Sequence, residues 1–401
     1  MPSVTSSVTQ VFETLNLRGK DMTPPASDAG LDSGLQRKPL ELSGALNEVK
    51  YPRVQLTPAI GVEFAKSVRL SEIRALPQQE QDNVLRDLAI TISRNGVVFF
   101  QDQSDLKPED LGRIALRLGE LAGKPESSTL HIHPTQELTE TGLPLGKISS
   151  KPDAEGRQIS FADSGLTSKG WHSDVSFEPK PALYTILQMH TLPKTGGDTL
   201  WSSNYSAYDR LTPPLQAFLS GLTATHDAWR FREQAAQNGY KLRTAERGSP
   251  DNQGGAFKAV HPIVRTNPGE RISSAEMKKI RRLMVLSVSH SVVTGLNALY
   301  VNKTFTTKID QLSYDESAVL LDYLFRLQHE SHDTHVKYHW SKNNVAIWDN
   351  SVVNHLATFD FKEYRAGDRA VVVGDRPYFD PAGVSRDAFE AQLEKQVAEE
   401  A

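Results

Sequence analysis

The sequence predicts a mainly β fold with flanking helices, a jelly roll or β-sandwich, on three observations. Helical periodicity is concentrated in the first third of the ordered chain. The rest reads as short apolar strands separated by long excursions. No βαβ alternation and no internal repeat appears. Residues 1–50 are rich in Ser, Thr, Pro and Gly ("TPPASDAGLDSGLQRKPLELSG") and read as an irregular extension.

Order begins near "VQLTPAIGVEF", and one domain is expected over 51–385. "LPQQEQDNVLRDLAITISRNG" repeats its apolar residues at helical spacing and stops at a glycine, after which "VVFFQDQ" reads as a strand. "SDLKPEDLGRIALRLGEL" is a second helix, with Ser104 or Asp105 as N-cap and Pro108 in its first turn. "PALYTILQMHTLP" is a long apolar strand, and "TGGDTLW" is a tight turn into another. "PPLQAFLSGL" and "DESAVLLDYLFRLQH" are helices; "NVAIWDN" and "RAVVVGDRP" are strands bracketing a polar loop. Residues 386–401 form a helical tail. The stretch 227–295 is the least strand-like and the most charged, and is expected to be a lid insertion.

Composition excludes several chemistries. The 401 residues contain no cysteine, so disulfides, thiolate metal sites and cysteine nucleophiles are ruled out. A net charge of −4 gives no electrostatic case for nucleic acid or an anionic membrane. The N-terminus lacks the basic start and apolar core of a secretory leader, and no apolar run approaches the ~18–20 residues that span a bilayer. A cytoplasmic chain is expected, with a small molecule as its partner.

The stretch "GWHSDVSF" places His172 and Asp174 two residues apart in a strand-like pattern, so both side chains would share one face. A metal, a general-base pair and a buried hydrogen bond all fit that pair. If a metal binds, "WDNSVVNHLATFDF" offers His355 as third ligand. Two imidazoles and one carboxylate make the facial triad of non-haem Fe(II) oxygenases, with positions left open. Thr199 follows the Gly-Gly turn and could donate a hydroxyl bond. Arg365 and Arg369 follow His355, and a guanidinium pairs with a carboxylate or sulfonate through two parallel hydrogen bonds.

These motifs resemble the TauD/TfdA-like group of Fe(II)/2-oxoglutarate-dependent dioxygenases, and most nearly its taurine and alkylsulfonate enzymes. The resemblance rests on "LHIHP", "WHSDVSF", "TGGDTLWSSNYSAYDRL", "LSGLTATHD", "HPIVRTNP", "ALYVNKTFTTKI", "NVAIWDNSVVNHLATFDF" and "RAVVVGDRPYF", in one order from about residue 53 to about 380. It implies a double-stranded β-helix core. It also implies His172, Asp174 and His355 as iron ligands, with Thr199 and Arg365 holding the distal carboxylate of the cosubstrate 2-oxoglutarate. By the same resemblance O₂ is the second cosubstrate, and Arg369, His133, the Val175 backbone N–H and Phe305 face the primary substrate. The implied reaction hydroxylates an alkylsulfonate or sulfate ester, giving sulfite or sulfate and an aldehyde with succinate and CO₂. Gln136 and Ser168 stand where the family's pocket carries a tyrosine and an asparagine, which favours a different or larger anion than taurine.

Other readings stay open at this stage. A tailoring hydroxylase or desaturase of a carboxylate or natural-product scaffold would share the iron half of the site, and a jelly-roll protein that holds a metal without turnover would share its ligands. The assembly, a monomer or a dimer or tetramer, is also open. "QHESHDTHVKYHW" carries His329, His332, His335 and His339 at near-helical spacing and is expected to be a solvated helix end. "MKKIRRLM" is expected to be a solvated helix face. It belongs to residues 269–292, which interrupt the family pattern and are either a lid extension or a gene-model artefact.

Overall fold

A computed structural model describes residues 35–38, 40–135, 144–151, 166–268, 270–273 and 294–400. In chain order its strands are β1 (Leu35–Lys38), β2 (Arg53–Gln55), β3 (Val62–Phe64), β4 (Val97–Phe100), β5 (Gly146–Ser149) and β6 (Ala182–Thr191). Then come β7 (Thr199–Ser203), β8 (Thr223–Asp227), β9 (Lys258–Pro262), β10 (Val264–Thr266), β11 (Glu270–Ser273) and β12 (Asn297–Leu299). The last are β13 (Thr306–Ile309), β14 (His335–Tyr338), β15 (Val345–Asp349), β16 (Val353–Ala357) and β17 (Ala366–Val373).

The major sheet has the order β2-β3-β4-β15-β6-β17-β5. Its β3–β4 pair is parallel and its other pairs are antiparallel. Two three-stranded sheets, β14-β7-β16 and β13-β8-β9, complete the β structure with the short pairs β10–β12 and β1–β11. Among the described residues the strands close into no barrel; the major sheet and β14-β7-β16 form opposed layers, with helices on the outer face.

Strand periodicity explains the layering. In "VVFF" of β4, Val98 and Phe100 enter one core with Ile347 of β15 and Ile186 of β6, while Val97 and Phe99 enter another with Trp348 and Met189. The major sheet is thus apolar on both faces, as near-continuous hydrophobic strands must be. The helices Gln78–Asn95 and Pro108–Leu121 cover its outer face through Leu88, Ala89, Leu111, Ile114 and Leu118. The inner face packs on β14-β7-β16 through Trp201, Val336, Tyr338 and Val353. At roughly 1.5–3 kcal/mol for each fully buried large apolar side chain, these two cores carry the fold.

Most expected elements are present, and the departures have physical causes. The second helix is capped by Lys107, with Pro108 at its first turn, because Asp110 reaches back to the Lys107 backbone N–H and makes the capping box itself. Residues 40–50 form no helix or strand, but they are anchored: the buried Asp87 carboxylate accepts from Ser43 N, Ser43 Oγ and Leu46 N, and Leu46 joins the core. The expected lid 227–295 is partly framework, since β9 pairs in register with β8, β10 pairs with β12, and Arg247 is 1 % exposed. "MKKIRRLM" and most of 269–292 lie outside the described residues. The tail forms the helix Arg386–Glu400, tied down by Arg386, which donates to Ala59 O and Ser206 Oγ. Among the described residues no helix is long and apolar enough to cross a membrane.

Candidate active site

Both sheet layers feed one point. His355 sits mid-strand in β16, opposite Trp201 of β7. His172 is not in a strand. It makes an isolated antiparallel bridge with His355, donating N–H to His355 O at 3.0 Å and accepting from His355 N at 2.8 Å. The chain then turns: Val175 takes a φ of 48°, a conformation a β-branched residue rarely adopts, and Glu178 N closes on Val175 O. A turn, not period-two alternation, therefore swings Asp174 back beside His172.

The three expected ligands converge. The ligand atoms of His172, Asp174 and His355 all lie within 4.8 Å of one another, the one such cluster among the described residues. Asp174 Oδ1 lies 3.7 Å from His172 Nε2 and 4.0 Å from His355 Nε2. His172 Nδ1 donates to Gly170 O at 2.7 Å, which fixes its tautomer and leaves the Nε2 lone pair for a metal. Burial, with His172 close by, pushes the His355 imidazole down to about 3, and burial lowers His172 too. Burial works to raise Asp174, yet Arg369, His355, His172 and the Thr185 hydroxyl hold it well below the usual carboxylate range. Two neutral imidazoles and one anionic carboxylate suit a divalent ion with open positions.

Beside the triad lies a second constellation. Gly196 and Gly197, at φ 76° and 72°, make the turn before β7. A Cβ on Gly197 would sit 3.0 Å from Arg365 Cδ, tighter than an ordinary contact, and the positive φ itself favours glycine. Arg365, 4 % exposed, donates from Nε to Gly197 O at 2.9 Å and from Nη2 to Thr199 Oγ1 at 3.4 Å. Trp340 Nε1 donates to the same hydroxyl at 3.0 Å, so Thr199 accepts twice and keeps its own proton to give away. Burial lowers Arg365 to about 10 while Asp198 works to raise it. The guanidinium and the hydroxyl together could receive a carboxylate.

The expected substrate residues also collect here. Arg369 of β17 points at Asp174, with Nη1 3.2 Å from Oδ1 and a buried Nε that has no partner. His133 accepts at Nδ1 from Thr135 N at 3.3 Å and bonds Thr135 Oγ1 at 2.8 Å, so its proton sits on Nε2. Burial, then Arg369, pushes its imidazole well below the ordinary range. Phe305 lies 6.2 Å, ring to ring, from His172, and packs with Val175, Phe177, Phe231 and Phe257 in one apolar cluster.

Several expectations resolve differently. Gln136 lies outside the described residues, and Ser168 is exposed in the turn Thr167–Gly170. The histidine run is not a wholly solvated helix end. His329 and His335 flank Trp171 at 5.2 and 5.1 Å, whereas His332 and His339 are exposed, His339 bonding Asp198. Sequence reading passed over Thr185, Trp340 and Asn350. For Thr185 a signal existed, because it is a hydroxyl inside the apolar first half of β6, Ala182 to Leu187.

The model of the family described as "Taurine catabolism dioxygenase TauD, TfdA family" matches residues 53–374. The "Alpha-ketoglutarate-dependent dioxygenase esdpJ" of Penicillium shearii is 35% identical over 390 residues, covering 88% of this chain and 96% of the relative. An "Alpha-ketoglutarate-dependent sulfonate dioxygenase" of Saccharomyces cerevisiae is 31% identical over 330 residues, covering 81% and 68%. A crystal structure of a taurine dioxygenase from Burkholderia xenovorans superposes with TM-score 0.58 at 25% identity, covering 83% and 92%. The chain accordingly belongs to the TauD/TfdA family, and is an enzyme of the alpha-ketoglutarate-dependent dioxygenase class that uses Fe(II), 2-oxoglutarate and O₂.

Proposed function

We propose that the chain hydroxylates a small anionic substrate, an alkylsulfonate of the taurine type or a sulfate ester. His172 Nε2, Asp174 Oδ1 and His355 Nε2 hold Fe(II) in this reading. The observation that carries it is the buried Asp174 carboxylate facing both imidazoles, next to the buried Arg365–Thr199 pair. When bound, the iron supplies the redox centre at which 2-oxoglutarate and O₂ become succinate and CO₂ and one oxygen atom enters a substrate C–H bond.

The chain's own residues bind and orient. Arg365 neutralises the distal carboxylate of 2-oxoglutarate and the Thr199 hydroxyl donates to it. His133 donates from Nε2, Val175 offers its backbone N–H, and Arg369 supplies charge to the substrate's anionic head. The wall around Phe305 excludes water and fixes which carbon faces the triad, which is positioning and not acid–base work. A carbon hydroxylated next to a sulfonate breaks its C–S bond, giving an aldehyde and sulfite; a sulfate ester gives an aldehyde and sulfate.

A second reading is a hydroxylase or desaturase of a carboxylate or natural-product scaffold; it is favoured by Phe305, whose ring lies 6.2 Å from His172 and brings an apolar surface to the triad. A panel of sulfonates, sulfate esters and carboxylates separates the two, with succinate and sulfite or sulfate both quantified. The proposal expects equimolar succinate and sulfur product from at least one sulfonate or sulfate ester. Succinate formed only with carboxylates would overturn it in favour of the second reading.

A further inference from the structure

Asp174 has a supporting shell that none of the roles above uses. Its Oδ1 faces the two imidazole Nε2 atoms and Arg369, while its Oδ2 accepts a hydrogen bond from Thr185 Oγ1 at 2.8 Å. Thr185 lies in β6, opposite Trp348 on one side and Val371 on the other, and is fully buried. A threonine hydroxyl carries one proton. Which way that proton points is decided by Asn350, whose Nδ2 donates to Thr185 Oγ1 at 2.8 Å.

The orientation of Asn350 is itself fixed. Its Oδ1 accepts from Asp174 N at 3.1 Å and from Trp348 Nε1 at 3.0 Å, and both are donors only. A flipped amide would set NH₂ against two N–H groups, so Nδ2 must face Thr185. The backbone of Asn350 is held as well, donating from N to Leu183 O at 2.8 Å and accepting from Ser173 Oγ at 2.7 Å. Asn350 therefore touches Asp174 twice, once directly at its backbone and once through Thr185 at its carboxylate.

We infer that Thr185, aimed by Asn350, is a positioning residue that engages Oδ2 of Asp174 so that Oδ1 alone is presented to the metal. Without it the carboxylate can rotate about its terminal torsion, which is soft, and swing Oδ2 into the space the cosubstrates need. A carboxylate ligand that is itself hydrogen-bonded is oriented before the ion arrives, and removing such a partner commonly weakens metal affinity ~10–100-fold. The inference rests on the ligand assignment proposed above.

The test uses the full chain stripped of metal, with Mn(II) as probe and binding followed by calorimetry, alongside thermal unfolding of the metal-free protein. Thr185→Val removes the hydroxyl at nearly constant shape, and Thr185→Ser restores it. The expected result is a loss of about tenfold or more in Mn(II) affinity for T185V. T185S should return to within a few-fold of the unsubstituted chain, and both variants should keep its cooperative unfolding. Wild-type affinity in T185V, or an equal loss in both variants, overturns the positioning role. If T185V does not fold, T185S still decides alongside Asn350→Asp, which removes the Nδ2 donor and should weaken Mn(II) binding while T185S does not. A failure of the unsubstituted chain to bind Mn(II) would strike the ligand assignment instead, so the two failures are told apart.

Discussion

At the scale of single residues the account is one of charge placed where water cannot screen it. Asp174 is 3 % exposed and is kept ionised, by Arg369 first and by the Thr185 hydroxyl, against the cost of its burial. Its replacement by alanine leaves two imidazoles and no anion, so Asp174→Ala should abolish succinate formation, read by a coupled succinate assay. Arg369→Ala should mainly weaken primary-substrate binding, raising KM well before it lowers kcat, because the residue positions an anion and transfers no proton. Arg365→Lys should raise the KM for 2-oxoglutarate by about tenfold or more, since an ammonium cannot reproduce a planar fork. Unchanged 2-oxoglutarate dependence in R365K would remove that residue from the cosubstrate site.

Between elements, the decisive features are turns. The Gly196–Gly197 turn delivers Thr199 to the head of β7 and leaves room for Arg365 behind it. Gly197→Ala should cost about 1–2 kcal/mol for the left-handed backbone, and its Cβ would press on the guanidinium. A drop of roughly 2–4 °C or less in Tm together with weaker 2-oxoglutarate binding is expected; full cosubstrate affinity would show that the approach is not needed. The segment 269–292, expected from the sequence to be an insertion, is joined to the fold at its two flanks. Asn267 N donates to Leu296 O at 3.0 Å and Thr294 N donates to Asn267 Oδ1 at 3.1 Å, so the flanks of the segment lie side by side. A short connection would close them, and removing residues 269–292, which takes β11 and its pairing with β1 away, should leave a soluble protein that still unfolds cooperatively. Insoluble protein would make the segment part of the fold.

Across the whole molecule, pH reads out the buried histidines. Burial, then Arg265, lowers His261 to about 3, and burial, then His335, lowers His329 to about 3, against an ordinary value near 6.5. The folded state keeps these rings neutral while the unfolded chain takes up protons. Stability of the metal-free protein is therefore full above about pH 6.5 and falls as pH drops from there toward 3. Urea unfolding at pH 7.5 and pH 5 should show a lower midpoint at pH 5, and an unchanged midpoint would contradict the burial of these rings.

Much of this molecule was legible in its amino acids, for stated reasons. Long segments with one clear period, such as Gln78–Asn95 and Ala182–Thr191, were readable because burial on a helix stripe or both sheet faces leaves a strong pattern. The His172–Asp174 pair was found for a reason that proved wrong in detail, since a strand was expected and a turn at Val175 does the work. Local sequence does not announce a strained φ. The lid assignment misjudged β9 because exposed Lys258 and Val260 alternate with buried Ala259 and His261, a weak pattern in a charged stretch. Thr185 and Asn350 were missed because a buried polar side chain declares its partner only once the chain has folded.

The most direct test is anaerobic addition of Fe(II) and then 2-oxoglutarate, following visible absorption. A metal-to-ligand charge-transfer band should grow with 2-oxoglutarate in the unsubstituted chain and stay absent in Asp174→Ala and His355→Ala. No band in the unsubstituted chain, or an equal band in the variants, would contradict the convergence of His172, Asp174 and His355 on one iron.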